Sequence, residues 1–301
     1  MEFRLTDDQL ALRTGFRALL AGRFGPEALR AAVGRPGLDR ALWRELGEAG
    51  LFSLRLPEEA GGAGLGLPEA VLVFEEAGRA LLPGPLVATH LAAGSVPGAD
   101  TGRTVVAASD GALVEWLAEA DEVVGEPVDA RPVRSVDPLT PLHRVHGQRF
   151  PRPAAVLLTA ALQLGSAART TELAVDHARQ REQFGRPIGS FQAVKHLCAQ
   201  MLVRTEVARA AVYAASVTCE ANGGGPGGDG ADGGGPDAET AGAKLLADEA
   251  AVRNARDCLQ VHGGMGFTWE SDVHLHLKRA WVRAGQWITG AEAEELIAAA
   301  L

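Results

Sequence analysis

Leu157, Ala161, Leu164, Ala168, Thr171, Val175 and Ala178 recur in alternating steps of four and three, the spacing that puts side chains on one face of an α-helix. Val194, Leu197, Met201, Ala208, Ala211 and Ala215 repeat it, and so do Leu245, Val252, Ala255 and Leu259. A coiled coil has a similar period, but separate helical segments joined by loops predict an antiparallel bundle. Between the second and third segments, residues 222–237 are almost entirely Gly, Pro, Asp and Ala. That composition cannot offset its ordering entropy by burial, so a disordered surface loop is predicted there.

The first hundred residues also read as helical. Thr6 with Gln9 forms a capping box, with Leu5 and Leu10 placed as a hydrophobic staple, which starts a helix at about residue 7 that is predicted to run to the low thirties. Pro36-Gly37 breaks it, and Leu38 to Ala49 is a second helix. Leu56-Pro57-Glu58-Glu59 leads through the glycine cluster 61–66 into a third, from Pro68 to about Leu82. That cluster imitates a phosphate loop, but it follows no strand and is read as a plain turn. Pro83-Gly84-Pro85 turns the chain, and a further helical piece ends near Gly94. From Val96 to about Gln148 the texture changes to short β-branched runs such as Thr104-Val105-Val106 and Glu122-Val123-Val124, divided by Gly, Asp and Pro. The division expected is therefore a helical region 1–95, a short β-rich region 96–150 and a four-helix bundle 151–301.

Charge and composition narrow the function. A formal net charge of −9 repels a phosphate backbone, and no run of Lys or Arg interleaved with aromatics overrides it, which excludes nucleic acid as a partner. No run approaches the roughly 20 apolar residues of a membrane span, and Met1-Glu2-Phe3-Arg4 does not open a leader. Cys198, Cys219 and Cys258 are odd in number and widely spaced, which suits reduced core thiols and a cytoplasmic location. His274 and His276 alternate on a predicted helix and so point to different sides; no metal site is expected.

Three blocks carry a resemblance. Leu56-Pro57-Glu58-Glu59-Ala60-Gly61-Gly62-Ala63-Gly64-Leu65 precedes the third helix, Arg181-Glu182-Gln183-Phe184-Gly185-Arg186-Pro187-Ile188 with Phe191-Gln192 lies between bundle helices, and Gln260-Val261-His262-Gly263-Gly264-Met265-Gly266-Phe267-Thr268 forms a glycine turn. In order and separation these blocks resemble the acyl-CoA dehydrogenase family. The resemblance implies a mainly α fold with a small β insertion: a helical N-terminal domain, a truncated β domain and a C-terminal four-helix bundle.

The same residues make chemical sense for FAD. Its pyrophosphate needs fixed donors and a cation, and arginine's planar fork matches phosphate oxygens. Arg181 supplies the cation, Gln183 and Gln260 amide donors, and Phe184 a ring for an adenine or flavin face. Gly263 and Gly264 let backbone N–H groups approach a phosphate with no Cβ in the way. In the family the matching positions contact the adenosine diphosphate half of an FAD bound mainly by the neighbouring subunit, so the resemblance implies a flavin site completed across a subunit interface.

The pattern breaks at the base. The family oxidises an acyl-CoA to the enoyl-CoA by removing an α-proton with a glutamate while a hydride passes to flavin. Counting from Gly263, the usual position falls on Trp287, within Gln286-Trp287-Ile288-Thr289-Gly290; counting back from Arg181, a second known position falls on Ala155. Neither side chain accepts a proton, so no catalytic residue is assigned. The β region lacks the family's hydroxyl-rich and Trp-Ile-Thr strands. Shortened middle and missing base both resemble a subunit of the heteromeric dehydrogenases of steroid side-chain degradation, with a homologous subunit, an acyl-CoA and an electron-transfer flavoprotein as the implied partners. Two alternatives stay open at this point: a homo-oligomer with a relocated base such as Glu270, Glu292, Glu294 or Glu295, and a non-catalytic structural homologue.

Overall fold

The computed structural model describes residues 4–35, 37–125, 127–146, 152–222 and 235–301. Thr6 accepts the Gln9 N–H and Gln9 returns a bond to the Thr6 N–H, and this box opens α1 (Asp7–Arg23). The single helix expected to reach the low thirties is two. Phe24 and Gly25 interrupt it, and α2 (Pro26–Gly34) restarts with proline in its first turn, where the missing N–H costs nothing. The Asp39 carboxylate then accepts the N–H groups of Ala41 and Leu42 and caps α3 (Arg40–Glu48), a start two residues later than expected.

Pro57 and the glycines to Gly66 form a turn, and α4 (Leu67–Arg79) follows. It ends three residues short of the expected Leu82, and Leu81 next takes a positive φ of 56°. After α5 (Leu86–Ala92) the chain enters five short strands, β1 (Val106–Ala108), β2 (Leu113–Glu115), β3 (Glu122–Val124), β4 (Val128–Val133) and β5 (Leu142–His146). β1 and β3 pair in parallel, while β5 lies antiparallel between β2 and β4, with a register shift between Val128 and Arg131. Strands of three to six residues in sheets this small cannot hold their own shape; packing against the helices supplies it.

The bundle is α6 (Pro153–Gln180), α7 (Gln192–Ala221), α8 (Ala238–His262) and α9 (Val273–Arg283), followed by α10 (Gly290–Ala299). Of the expected loop 222–237, residues 223–234 lie outside the described residues; Asp237 caps α8 by accepting the Thr240 N–H. α6 is buried along most of its length, and its contact with α4 is backbone on backbone. A Cβ on Gly165 would sit 1.9 Å from the Glu75 carbonyl oxygen, and one on Gly78 would sit 2.1 Å from that of Leu162. Both helices therefore need glycine at the crossing.

Polar groups stitch the strands to the bundle. The buried Arg279 guanidinium donates to Asp137 and to the carbonyls of Leu82 and Leu139. Within the bundle, Gln163 of α6 donates to Asp248 and to the Ala280 carbonyl, and Lys244 pairs with Asp248. Among the described residues no helix is long and apolar enough to cross a membrane, and no His, Cys, Asp and Glu group is arranged to hold a metal. Cys198, Cys219 and Cys258 are free thiols, with Cys258 buried.

Candidate functional site

α6 stops because Arg181 turns extended, its N–H still donating to the His177 carbonyl. The next residues make a two-residue hairpin that sequence reading did not foresee: β6 (Glu182–Gln183) pairs with β7 (Arg186–Pro187). Phe184 and Gly185 occupy its turn at φ 53° and 76°. Positive φ at both central positions matches the twist of a tight hairpin, but it is a strained region for a phenylalanine. The ring gains no burial for that strain. Phe184 is 92% exposed, lying edge-on to Phe191 with centroids 6.1 Å apart. The Arg186 guanidinium in turn covers the Phe191 ring at 4.3 Å. A strained, solvent-facing aromatic is the kind of position that structure retains for a ligand or partner.

α8 ends at His262, and Gly263 takes φ 62° with its N–H on the Gln260 carbonyl. A Cβ added at Gly263 or Gly264 would meet nothing within 4 Å, so their backbone faces open space. Gln260 is exposed beside them. These two ends of the bundle meet through a pair the sequence reading missed: the His177 and His262 rings stack at 4.1 Å and 22°. Burial, then His262 and Arg181, push the His177 imidazole below its ordinary value, which places the Arg181 charge beside the stack. Arg181 is exposed and makes no side-chain hydrogen bond or ion pair among the described residues. One end of the bundle thus gathers a free guanidinium, an exposed ring, the exposed Gln260 side chain and a glycine turn with no Cβ, while the Gln183 amide donates to the Glu182 carbonyl and the Gly263 N–H to that of Gln260. Met265, Phe267 and Trp269 continue this end as exposed apolar surface.

The other end of the family's chemistry does not fit. Ala155 is fully buried in the main core. Trp287 sits at φ 63° with its N–H on Asp110, its ring packed against two apolar clusters. Gln286 before it donates to Glu115. The usual base position is thus filled by indole and pinned by the strand region. Of the possible substitute bases, Glu292 accepts the Thr289 N–H and hydroxyl in a capping box, while Glu270, Glu294 and Glu295 are exposed.

Helical N-terminal region, small sheets and long-helix bundle together define the acyl-CoA dehydrogenase fold. Residues 6–102 match the family model for the N-terminal domain of acyl-CoA dehydrogenases, and residues 156–298 match that for the C-terminal domain. The chain belongs to the acyl-CoA dehydrogenase family. It is 37% identical to acyl-CoA dehydrogenase IpdE2 of Mycobacterium tuberculosis over 91% of both chains. It is 35% identical to acyl-CoA dehydrogenase FadE34 of the same organism, over 92% of this chain and 45% of that protein, and so spans about half of FadE34. Among solved structures, a chain of the ChsE4-ChsE5 complex from Mycobacterium tuberculosis superposes with a TM-score of 0.82 over 99% of this chain and 98% of the other, at 22% identity.

Proposed function

We propose that this chain is the subunit of a heteromeric acyl-CoA dehydrogenase that completes the FAD site of a catalytic partner. Arg181, Gln183, Phe184, Gln260, Gly263 and Gly264 hold the adenosine diphosphate half, and the proton-accepting glutamate lies on the homologous partner. The reaction is α,β-dehydrogenation of a CoA thioester, with the flavin accepting the hydride and passing electrons to an electron-transfer flavoprotein. The observation that carries this reading is Trp287: its backbone N–H donates to Asp110 and its indole occupies the base position, while the Gly263–Gly264 end stays open. The likeness to one chain of a two-protein complex supports it, as does FadE34, more than half of which lies outside the segment matched by this chain. The steroid side-chain dehydrogenases that the sequence resembles suggest a sterol-derived acyl group.

Two substitutions test the reading. Arg181→Ala removes the one cation of the phosphate cradle. The complex made with the partner subunit is expected to lose at least about tenfold in FAD affinity, the worth of a charge-assisted bond, measured by flavin release on dilution; an unchanged affinity counts against the role. Phe184→Gly removes the ring and relieves a left-handed phenylalanine, whose strain is about 1–2 kcal/mol, against a glycine entropy cost of about 0.5–1 kcal/mol. Urea unfolding of the chain should therefore shift by no more than about 1.5 kcal/mol, while flavin retention in the complex falls.

One observation favours a second reading, a homomeric enzyme with a relocated base. Burial pushes the Glu115 carboxyl above the usual range, with the Gln286 hydrogen bond and the Arg283 charge pulling it back, and it sits beside the Trp287 turn. Turnover by the isolated chain distinguishes the two.

A further inference from the structure

A cleft of about 300 Å³ lies between the α1–α2 corner, the C-terminal end of α4, the middle of α6 and the start of α9. None of its lining residues belongs to the flavin-facing set. Leu20, Phe24, Leu29 and Leu173 give it an apolar side, and Arg17, Glu76, Arg79, Arg169, Asp272 and His276 are its charged and polar lining. His276 is 4% exposed, its Nδ1 engaged with Ser166 Oγ at 2.8 Å. Its Nε2 has no hydrogen-bond partner among the described residues, nor is it sealed in with the unpartnered buried atoms. Either atom of that pair can donate; the tautomer in which the Ser166 hydroxyl donates to Nδ1 carries the imidazole proton on Nε2, and it is the one that a bound anion selects.

The surrounding charge selects the ligand. Arg17 spends its guanidinium on both oxygens of Glu76, and Arg79 spends its own on both oxygens of Glu172. Arg169 meets Glu172 through a single contact of 3.3 Å and is 40% exposed, so donors remain. Asp272 at the rim is paired to Arg30 at 3.0 Å, which leaves no unpaired carboxylate in the lining. Burial, then Arg169, Arg279, Arg283 and Arg79, hold His276 neutral, down to about 3.

We propose that this cleft binds a small amphipathic carboxylate, its tail on Leu20, Phe24 and Leu29 and its head between Arg169 and the His276 Nε2–H. An apolar concavity with a few convergent polar groups is the usual form of a small-molecule site, and a carboxylate satisfies both donors at once. The inference does not rest on the flavin reading, because the cleft neither touches nor needs the cofactor.

The test is calorimetric titration of the full chain, together with its partner where the two co-purify, using octanoate and, as the uncharged control, octanol. Octanoate is expected to bind saturably at one site per chain, at least about tenfold more tightly than octanol, the worth of a charge-assisted bond. Arg169→Gln should bring the two ligands together. Ala21→Trp, at an exposed rim position, should block both while leaving circular dichroism and flavin content unchanged. A perturbed His276 imidazole nitrogen signal in NMR should accompany octanoate alone. The proposal is overturned by the absence of saturable binding, by equal affinity for octanol, or by octanoate binding that survives Ala21→Trp.

Discussion

Asp137→Ala is expected to destabilise the chain by about 3–5 kcal/mol, the cost of leaving a buried charge without its partner. Asp137 is 1% exposed and accepts from the Leu139 N–H, the Thr140 hydroxyl and Arg279. Its removal leaves Arg279 held only by the Leu82 and Leu139 carbonyls, one helical turn from a second buried guanidinium. Burial, then the Arg279 charge, already push that second group, Arg283, down to about 9. The seam that fails joins α9 to the strand region and so carries the turn of Gln286 and Trp287. Urea unfolding measures the loss. Asp137→Asn, which keeps acceptors and discards charge, should fall between wild type and Asp137→Ala; equal stability of all three proteins would refute a structural role for the pair.

Acid should be the second large effect. His90 is buried with Nδ1 on the Leu51 carbonyl at 2.9 Å, its ring edge-on to Phe74, and burial pushes it down to about 4; His276 lies at about 3. Both pKa values are depressed in the folded state, so below about 6.5 the unfolded chain binds protons that the folded chain refuses. The stability is complete above that pH and drains as pH falls toward 4. At pH 5 each histidine accounts for about 2 kcal/mol of lost stability by this linkage. The difference in unfolding free energy between pH 8 and pH 5 should therefore be smaller in His90→Asn than in wild type by about 2 kcal/mol. An identical pH dependence would mean that His90 charges without cost.

The long bundle helices were legible because burial imposes its period on Leu157 to Ala178 and on Val194 to Ala215. Arg181, Phe184 and the glycine pair were singled out by residue type, as groups that suit phosphate and aromatic contacts, and their role in a flavin site is the proposal made above. Counting from them located Trp287 and Ala155. The break at Gly25-Pro26 was missed because leucine spacing continues across it, although proline after glycine is itself a helix start. The stack of His177 on His262 and the pair of Arg279 with Asp137 join distant segments, and no local pattern encodes which polar side chains will meet. The Phe184-Gly185 hairpin was hidden differently: a phenylalanine in left-handed backbone contradicts local preference, and sequence rules fail where a site requires strain.

The most direct measurement is the visible spectrum of the purified chain, alone and co-expressed with a homologous partner that carries the glutamate. The account predicts a colourless, inactive chain alone, and one FAD per pair of chains, bleached by acyl-CoA, in the complex. A stoichiometric yellow flavin on the isolated chain that bleaches with acyl-CoA would contradict it and point to a base of its own, with Glu115 the first residue to replace.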